Sequence, residues 1–211
     1  MTAFFTHCWK NTRLELAAVL LLVLLATAWS SPLRADTASA EVSLLRLERA
    51  PEGIFLYANV KVELPAAVED ALMKGVPMFF VAQADVVRHR WYWTDRKVAS
   101  AQRHMRLVYQ PLTRRWRLNV ASGVITPNSL GVALNLNFDS LSEAVAALQR
   151  LSGWKIADAS VIEADASHRV EFSFELDLAQ LPRPFQIGAF GQSDWTIFAS
   201  ASQQIGPEST K

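Results

Sequence analysis

The chain has 211 residues, with 21 Lys and Arg against 20 Asp and Glu, 51% hydrophobic residues and one cysteine. A net charge of +1 excludes recruitment of a polyanion by global charge, and a lone cysteine excludes an intrachain disulfide. The length suits one domain rather than two.

At the N-terminus, Lys10 and Arg13 precede an apolar run from Leu14 to Trp29, and Ser30-Ser-Pro-Leu-Arg-Ala35 comes next. Charged, apolar and small-residue regions in that order predict a secretory signal, residues 1–35, cleaved after Ala35 or after Ala40. The alternative is an uncleaved inner-membrane anchor facing the periplasm, but this run is interrupted by Glu15 and is short against the ~20 residues that span a bilayer. Cys8 lies before the apolar run, so it is not a lipoprotein cysteine, and cleavage leaves a product with no cysteine at all. Cleavage after Ala35 leaves 176 residues with 18 bases against 19 acids. That length buries about 70% of the unfolded surface in one domain, expected over residues 36–202, with 203–211 as a loose polar tail.

Alternation of apolar and polar residues dominates the chain beyond Ala40, and it predicts strands with one face on a core. A strand near Glu41 to Glu48 turns at Glu52-Gly53 into Ile54, Leu56, Ala58, Val60, Val62 and Leu64, which alternate with polar or aromatic neighbours. Pro65 to Lys74 predicts a helix, with Val68 and Leu72 on one face and Gly75-Val-Pro77 as its stop. Met78 to Trp93 forms one long, bent strand; Met105, Leu107 and Tyr109 mark another, and Trp116, Leu118 and Val120 a third, joined by a hairpin at Gln110-Pro-Leu-Thr113. Leu130 to Phe138 alternates again. Ser140 and Glu143 then form a capping-box pattern before the stripe Leu141, Val145, Leu148 and Leu151, a second helix ending before Gly153. Val170, Phe172, Phe174, Leu176 and Leu178 alternate with Arg169, Glu171, Ser173, Glu175 and Asp177, the pattern of a strand wet on one side. Leu181-Pro-Arg-Pro184 predicts a stiff extended connector. The fold class is mainly β: a single antiparallel, sandwich-like domain with two short inserted helices.

Between Val86 and Arg117 sit nine bases and one acid, Asp95, which makes the middle third a basic zone in a neutral chain. Within it, Arg88-His-Arg-Trp-Tyr-Trp-Thr-Asp95 places Arg88, Arg90 and Tyr92 on one side of a strand, while Arg114-Arg-Trp-Arg117 sends Trp116 inward and Arg115 and Arg117 outward. Arg88, Arg90, Tyr92, Arg115 and Arg117 are therefore the candidate ligand- or partner-binding residues, a face suited to phosphate, carboxylate or an acidic protein patch. The competing reading pairs these arginines with Glu171, Glu175 and Asp177 of another strand. Basic and aromatic interleaving also suits single-stranded nucleic acid, but export removes that partner. His89, His104 and His168 lack metal-site spacing and are expected to be surface or hydrogen-bonded side chains. No nucleophile elbow, P-loop or dinucleotide fingerprint occurs, so no catalytic residue, metal ligand or cofactor is assigned.

Arg90-Trp-Tyr-Trp-Thr-Asp95, Leu107-Val-Tyr-Gln-Pro-Leu-Thr-Arg-Arg-Trp-Arg-Leu118, and Leu178-Ala-Gln-Leu-Pro-Arg-Pro-Phe-Gln186 followed by Ser193-Asp-Trp195 resemble the signature stretches of a family of exported proteobacterial proteins, one of the numbered domains of unknown function. The resemblance covers nearly the whole chain after the signal. It implies an envelope protein of a Gram-negative bacterium; members of the family are often encoded near a membrane sensor kinase of the nitrogen-regulation type, so the resemblance points to envelope sensing, with an envelope protein such as a membrane sensor, or an anionic envelope lipid or glycan, as the expected partner. The functional expectation is a non-catalytic periplasmic binding or interaction protein. The alternatives are an anion-binding module for envelope lipid or glycan and, third, a hydrolase.

Overall fold

The computed structural model describes residues 40–89, 95–123, 133–161, 167–189 and 193–205. The expected signal segment lies outside them, as do Arg90 to Thr94 and Leu130 to Val132. Strand β1 (Ala40–Ala50) turns at Pro51-Glu52 into β2 (Gly53–Val62), and β7 (Arg150–Ala157) pairs with the other side of β2. These strands form a three-stranded antiparallel sheet in the order β1-β2-β7. The second sheet contains β3 (Met78–Arg88), β4 (Arg96–Gln110), β5 (Arg115–Ala121), β6 (Leu134–Phe138), β8 (His168–Leu176) and β9 (Phe198–Gln204). Its order is β6-β5-β4-β3-β8-β9, antiparallel throughout.

The alternating apolar sets fill the space between the sheets. Ile54, Leu56, Ala58, Val60 and Val62 face Phe80, Ala82, Ala84, Phe172 and Phe174 in one continuous core, and the Phe80 and Phe174 rings stack with centroids 5.7 Å apart. Fully burying a side chain of this size contributes about 1.5–3 kcal/mol, and Phe80, Phe172 and Phe174 are all 1% exposed or less. The hairpin expected at Gln110 to Thr113 closes β4 on β5. Strand β9 extends to Gln204, so Gln203 and Gln204 of the expected tail belong to it.

Helix α1 (Ala66–Met73) follows Pro65 and buries Val68, Ala71 and Leu72. Helix α2 (Leu141–Gln149) starts as its capping pattern predicts, with the Glu143 amide donating to Ser140 Oγ at 3.2 Å. Its buried side is Ala144 and Leu148; Leu151, expected to complete the stripe, belongs instead to β7, which starts at Arg150. The backbone is already extended at Arg150, with φ −104 and ψ 111, which ends the helix before Leu151. Gly153, with φ +57, then inserts a bulge, so that Leu151 and Trp154, three residues apart, both turn into the core. A third helix, α3 (Arg183–Ala189), corrects the extended connector expected from Leu181 to Pro184. The amides of Phe185 and Gln186 donate to Pro182 O, so both prolines sit where a helix start needs no N–H from them.

Gly53 and Gly153 separate two costs of replacing glycine. At Gly53, φ is +147 and an added Cβ would collide with the Ala157 carbonyl oxygen of β7, whereas at Gly153 an added Cβ meets open space. Gly53→Ala is expected to cost ~3 kcal/mol and Gly153→Ala only about 1 kcal/mol, the left-handed penalty alone. Urea midpoints at constant m value measure the two.

Candidate functional site

Strand alternation and the length of β4 disperse the basic zone. Arg88 pairs in register with Arg96 at the start of β4, while Arg115 pairs with Gln110 at its end. Fourteen residue steps of about 3.3 Å place the two groups roughly 45 Å apart along the strand. Arg88, Arg115 and Arg117 therefore do not make one row, and Arg90 and Tyr92 lie outside the described residues. Trp116 does turn into the core, with Arg115 and Arg117 on the opposite face.

That opposite face is the outer side of the six-stranded sheet, and its β4-β5-β6 end carries amides among guanidinium groups. Arg106 is in register with Asn119, Asn119 with Asn135, and Arg117 with Asn137. Arg117 Nε donates to Asn137 Oδ1 at 3.2 Å, Arg106 Nη1 approaches Asn119 Oδ1 at 3.4 Å, and Asn119 donates to Asn135. Phe79 of β3 lies under the Arg106 guanidinium, 6.0 Å from centroid to carbon. Burial lowers the Arg106 pKa, and the charge of Arg117 lowers it further. Two of the three carboxylates expected as partners are engaged elsewhere: Glu171 holds Arg169 at 2.6 Å, and Asp177 accepts from the Ala179 amide and Gln180. Arg115 instead meets Asp139 at 3.3 Å, between two exposed side chains. Arg106 and Arg117 thus share an amide-rich surface with no carboxylate paired to either among the described residues.

Toward the middle of the same face the polar side chains satisfy one another. Asp85 accepts from Lys97 at 2.6 Å, Ser100 at 2.6 Å and Gln83 at 2.8 Å. Burial alone would raise its pKa, but these donors and the Lys97 charge outweigh that and hold the carboxyl below its usual range. The carboxylate is saturated with donors and stays ionised. Beside it a polar hollow of 490 Å³ is lined by Glu171, Ser173, Ser200 and Ser202. Among the described residues, no three His, Cys, Asp or Glu side chains gather as metal ligands.

On the inner side, a second cleft opens between β4, β5 and β6 and the α2–β7 junction. Its volume is 790 Å³, and Arg103 and Arg150 are part of its lining. Neither arginine stands out in the sequence as a site residue, nor does Arg106. A signal for Arg103 is nonetheless present: it shares the inward phase of Ala99, Ala101, Met105 and Leu107, where an arginine is out of place.

The sequence profile of a family described as "Domain of unknown function (DUF4390)" matches residues 37–204. The chain belongs to the DUF4390 family. No curated protein matches it, and no solved structure does. In this DUF4390 chain, the stretch Leu107–Leu118 is the β4–β5 hairpin, with Tyr109 and Trp116 rings 4.9 Å apart. Phe185 and Trp195 from the later stretches meet at 6.4 Å, and Leu181 and Trp195 are buried. Most of these aromatic residues serve packing.

His104 departs from the expectation of a surface or hydrogen-bonded histidine. It is only 7% exposed, in register with Val81 and Ala121, and neither ring nitrogen has a hydrogen-bond partner among the described residues. Burial lowers its pKa, and the charge of Asp177 offsets this only in part. The folded state therefore keeps the ring neutral where the unfolded chain, with an ordinary pKa of about 6.5, takes up a proton. The stabilising contribution is complete above about pH 6.5 and falls away as the pH drops toward the folded pKa. His104→Leu removes this dependence. Its urea midpoint should equal or exceed that of the wild type at neutral pH, with the gap widening at about pH 5.

Proposed function

We propose that this DUF4390 chain is a non-catalytic binding or interaction protein of the bacterial envelope, working in the periplasm and engaging an anionic partner through the basic end of its six-stranded sheet. The single observation behind this reading is the placement of Arg106 and Arg117, which are close enough to repel and held by asparagine amides rather than carboxylates. A guanidinium preorganised by neutral acceptors keeps donors for an incoming phosphate or carboxylate, which it binds through charge-assisted hydrogen bonds. The order of charged, apolar and small residues before Ala35 supports export. Outside the cytoplasm, the anions at hand are acidic phospholipid head groups, lipopolysaccharide phosphates and acidic patches on envelope proteins such as a membrane sensor. The saturated hydrogen bonding of Asp85, the buried acid of this face, suits structure rather than proton transfer.

Co-sedimentation of the form isolated from the periplasmic fraction with vesicles tests the reading. Binding to phosphatidylglycerol should exceed binding to phosphatidylcholine and weaken as salt rises from about 50 to about 300 mM. Arg115→Gln combined with Arg117→Gln should weaken it at least about tenfold, a loss of ~1.4 kcal/mol or more. The melting temperature should move little, since exposed pairs such as Arg115–Asp139 contribute about 0–1 kcal/mol. Arg88→Gln, at the end of β3 opposite the start of β4, should leave binding unchanged. Capture from envelope extracts with and without detergent separates a lipid partner from a protein one. Unaltered binding together with a large loss of stability would show these arginines to be structural.

A further inference from the structure

Among the described residues, the inner faces of β4, β5 and β6 are not fully covered. Met105, Leu118, Val120 and Leu136 line a cleft of 790 Å³, with Leu134 at its rim and Arg103 and Arg150 on the side of β7. The volume falls within the about 300–1,000 Å³ of small-molecule sites, and the lining is mostly apolar with few polar groups, as such sites are.

Arg103 gives the cleft its chemistry. In register with Ala82, it points between the sheets, and its guanidinium carbon lies 5.0 Å from the centroid of the Trp154 ring. Burial pulls its pKa down, and no carboxylate pairs with it among the described residues. Arg150, where α2 ends and β7 begins, also has no carboxylate partner there. A half-buried cation without a counter-charge loses part of its hydration, and the indole face offsets only part of that loss. An anion entering the cleft would supply the missing charge, while the apolar lining would be buried by a hydrocarbon tail. Head and tail must therefore belong to one molecule.

We propose that this cleft is a binding site for a single-chain amphipathic anion, its acyl chain along Met105, Leu118, Val120 and Leu136 and its carboxylate or phosphate head on Arg103 and Arg150. The site lies on the opposite side of the sheet from Arg106, Arg115 and Arg117, so it stands independently of the surface proposed above.

Calorimetry on the full chain tests it with three ligands below their micelle concentrations: laurate, a lyso-phosphatidylglycerol and 1-dodecanol. Laurate or the lysolipid should bind one per chain, the tighter of the two naming the head group as carboxylate or phosphate. Dodecanol, with a tail of the same length and no charge, should bind at least about tenfold more weakly. Arg103→Met should lower affinity for the anion at least about tenfold while leaving the unfolding midpoint unchanged or higher, because an unpaired charge has been removed. Leu134→Glu, at a position 60% exposed, should fold normally and abolish binding by placing a carboxylate at the mouth. Should Arg103→Met fail to fold, Leu134→Glu decides alone. Absence of binding by both anions, wild-type affinity in either variant, or dodecanol binding as tightly as laurate would overturn the proposal. Arg115→Gln with Arg117→Gln should leave laurate binding intact, so the two proposals fail separately.

Discussion

A six-stranded sheet faced by a three-stranded one leaves apolar surface that must be covered by other means, and most of the architecture follows from that mismatch. The small sheet β1-β2-β7 covers the large one from its β9 edge, where β1 lies, to β4, where β7 lies, and between them β3 and β8 present Phe80, Phe172 and Phe174. Beyond β7 a helix takes over. Helix α2 lies between β6 and β7 in the chain, spans nine residues, and so runs about 13 Å. Its buried side is only Ala144 and Leu148. Strands β5 and β6 are therefore roofed by a short element with a narrow apolar stripe, which leaves Leu134 exposed and the cleft beside Arg103 open. The bulge at Gly153 belongs to the same junction, because it lets β7 start without a loop and still return Trp154 to the core.

The strand pattern was legible wherever one face was apolar and the other wet. β2, β5 and β8 keep the expected alternation, although β2 stops at Val62 short of Leu64 and β8 at Leu176 short of Leu178, which starts a 3-10 turn; both expected helices begin at the proline and serine that predicted them. The misses share a cause, since each lies where a backbone conformation rather than a side-chain period sets the structure. Gly153 in the left-handed region resets the phase of β7, which no periodicity count sees. Pro182 and Pro184 suit an extended connector and a helix start equally well, and the hydrogen bonds to Pro182 O decide for the helix.

The candidate site was legible only in part, for a different physical reason. A basic zone in sequence is a basic surface only when its residues share a face and lie within a few residues along the strand, and a strand of fifteen residues violates the second condition. Arg115 and Arg117 were readable as outward because Trp116 between them had to turn inward. Their separation from Arg88 depends on the register of β3 with β4 and of β4 with β5, which long-range pairing sets. Arg106 was hidden for the same reason: it is ordinary in its own strand and becomes notable only beside Asn119 and Arg117 of the next.

The two faces of the large sheet handle charge in opposite ways. On the outer face, solvent and neighbouring amides limit the cost of crowding Arg106 against Arg117, and the Asp85 cluster shows that full local pairing was available to this surface where structure alone was needed. On the inner face, Arg103 packs against an indole ring, and among the described residues no carboxylate compensates it in the way Lys97 compensates Asp85. An apolar residue of similar length at that position would pack between Met105 and Trp154 without the desolvation cost. The guanidinium is therefore a half-buried charge with no carboxylate partner among the described residues, and the apolar-lined volume beside it is where the proposed anion would sit.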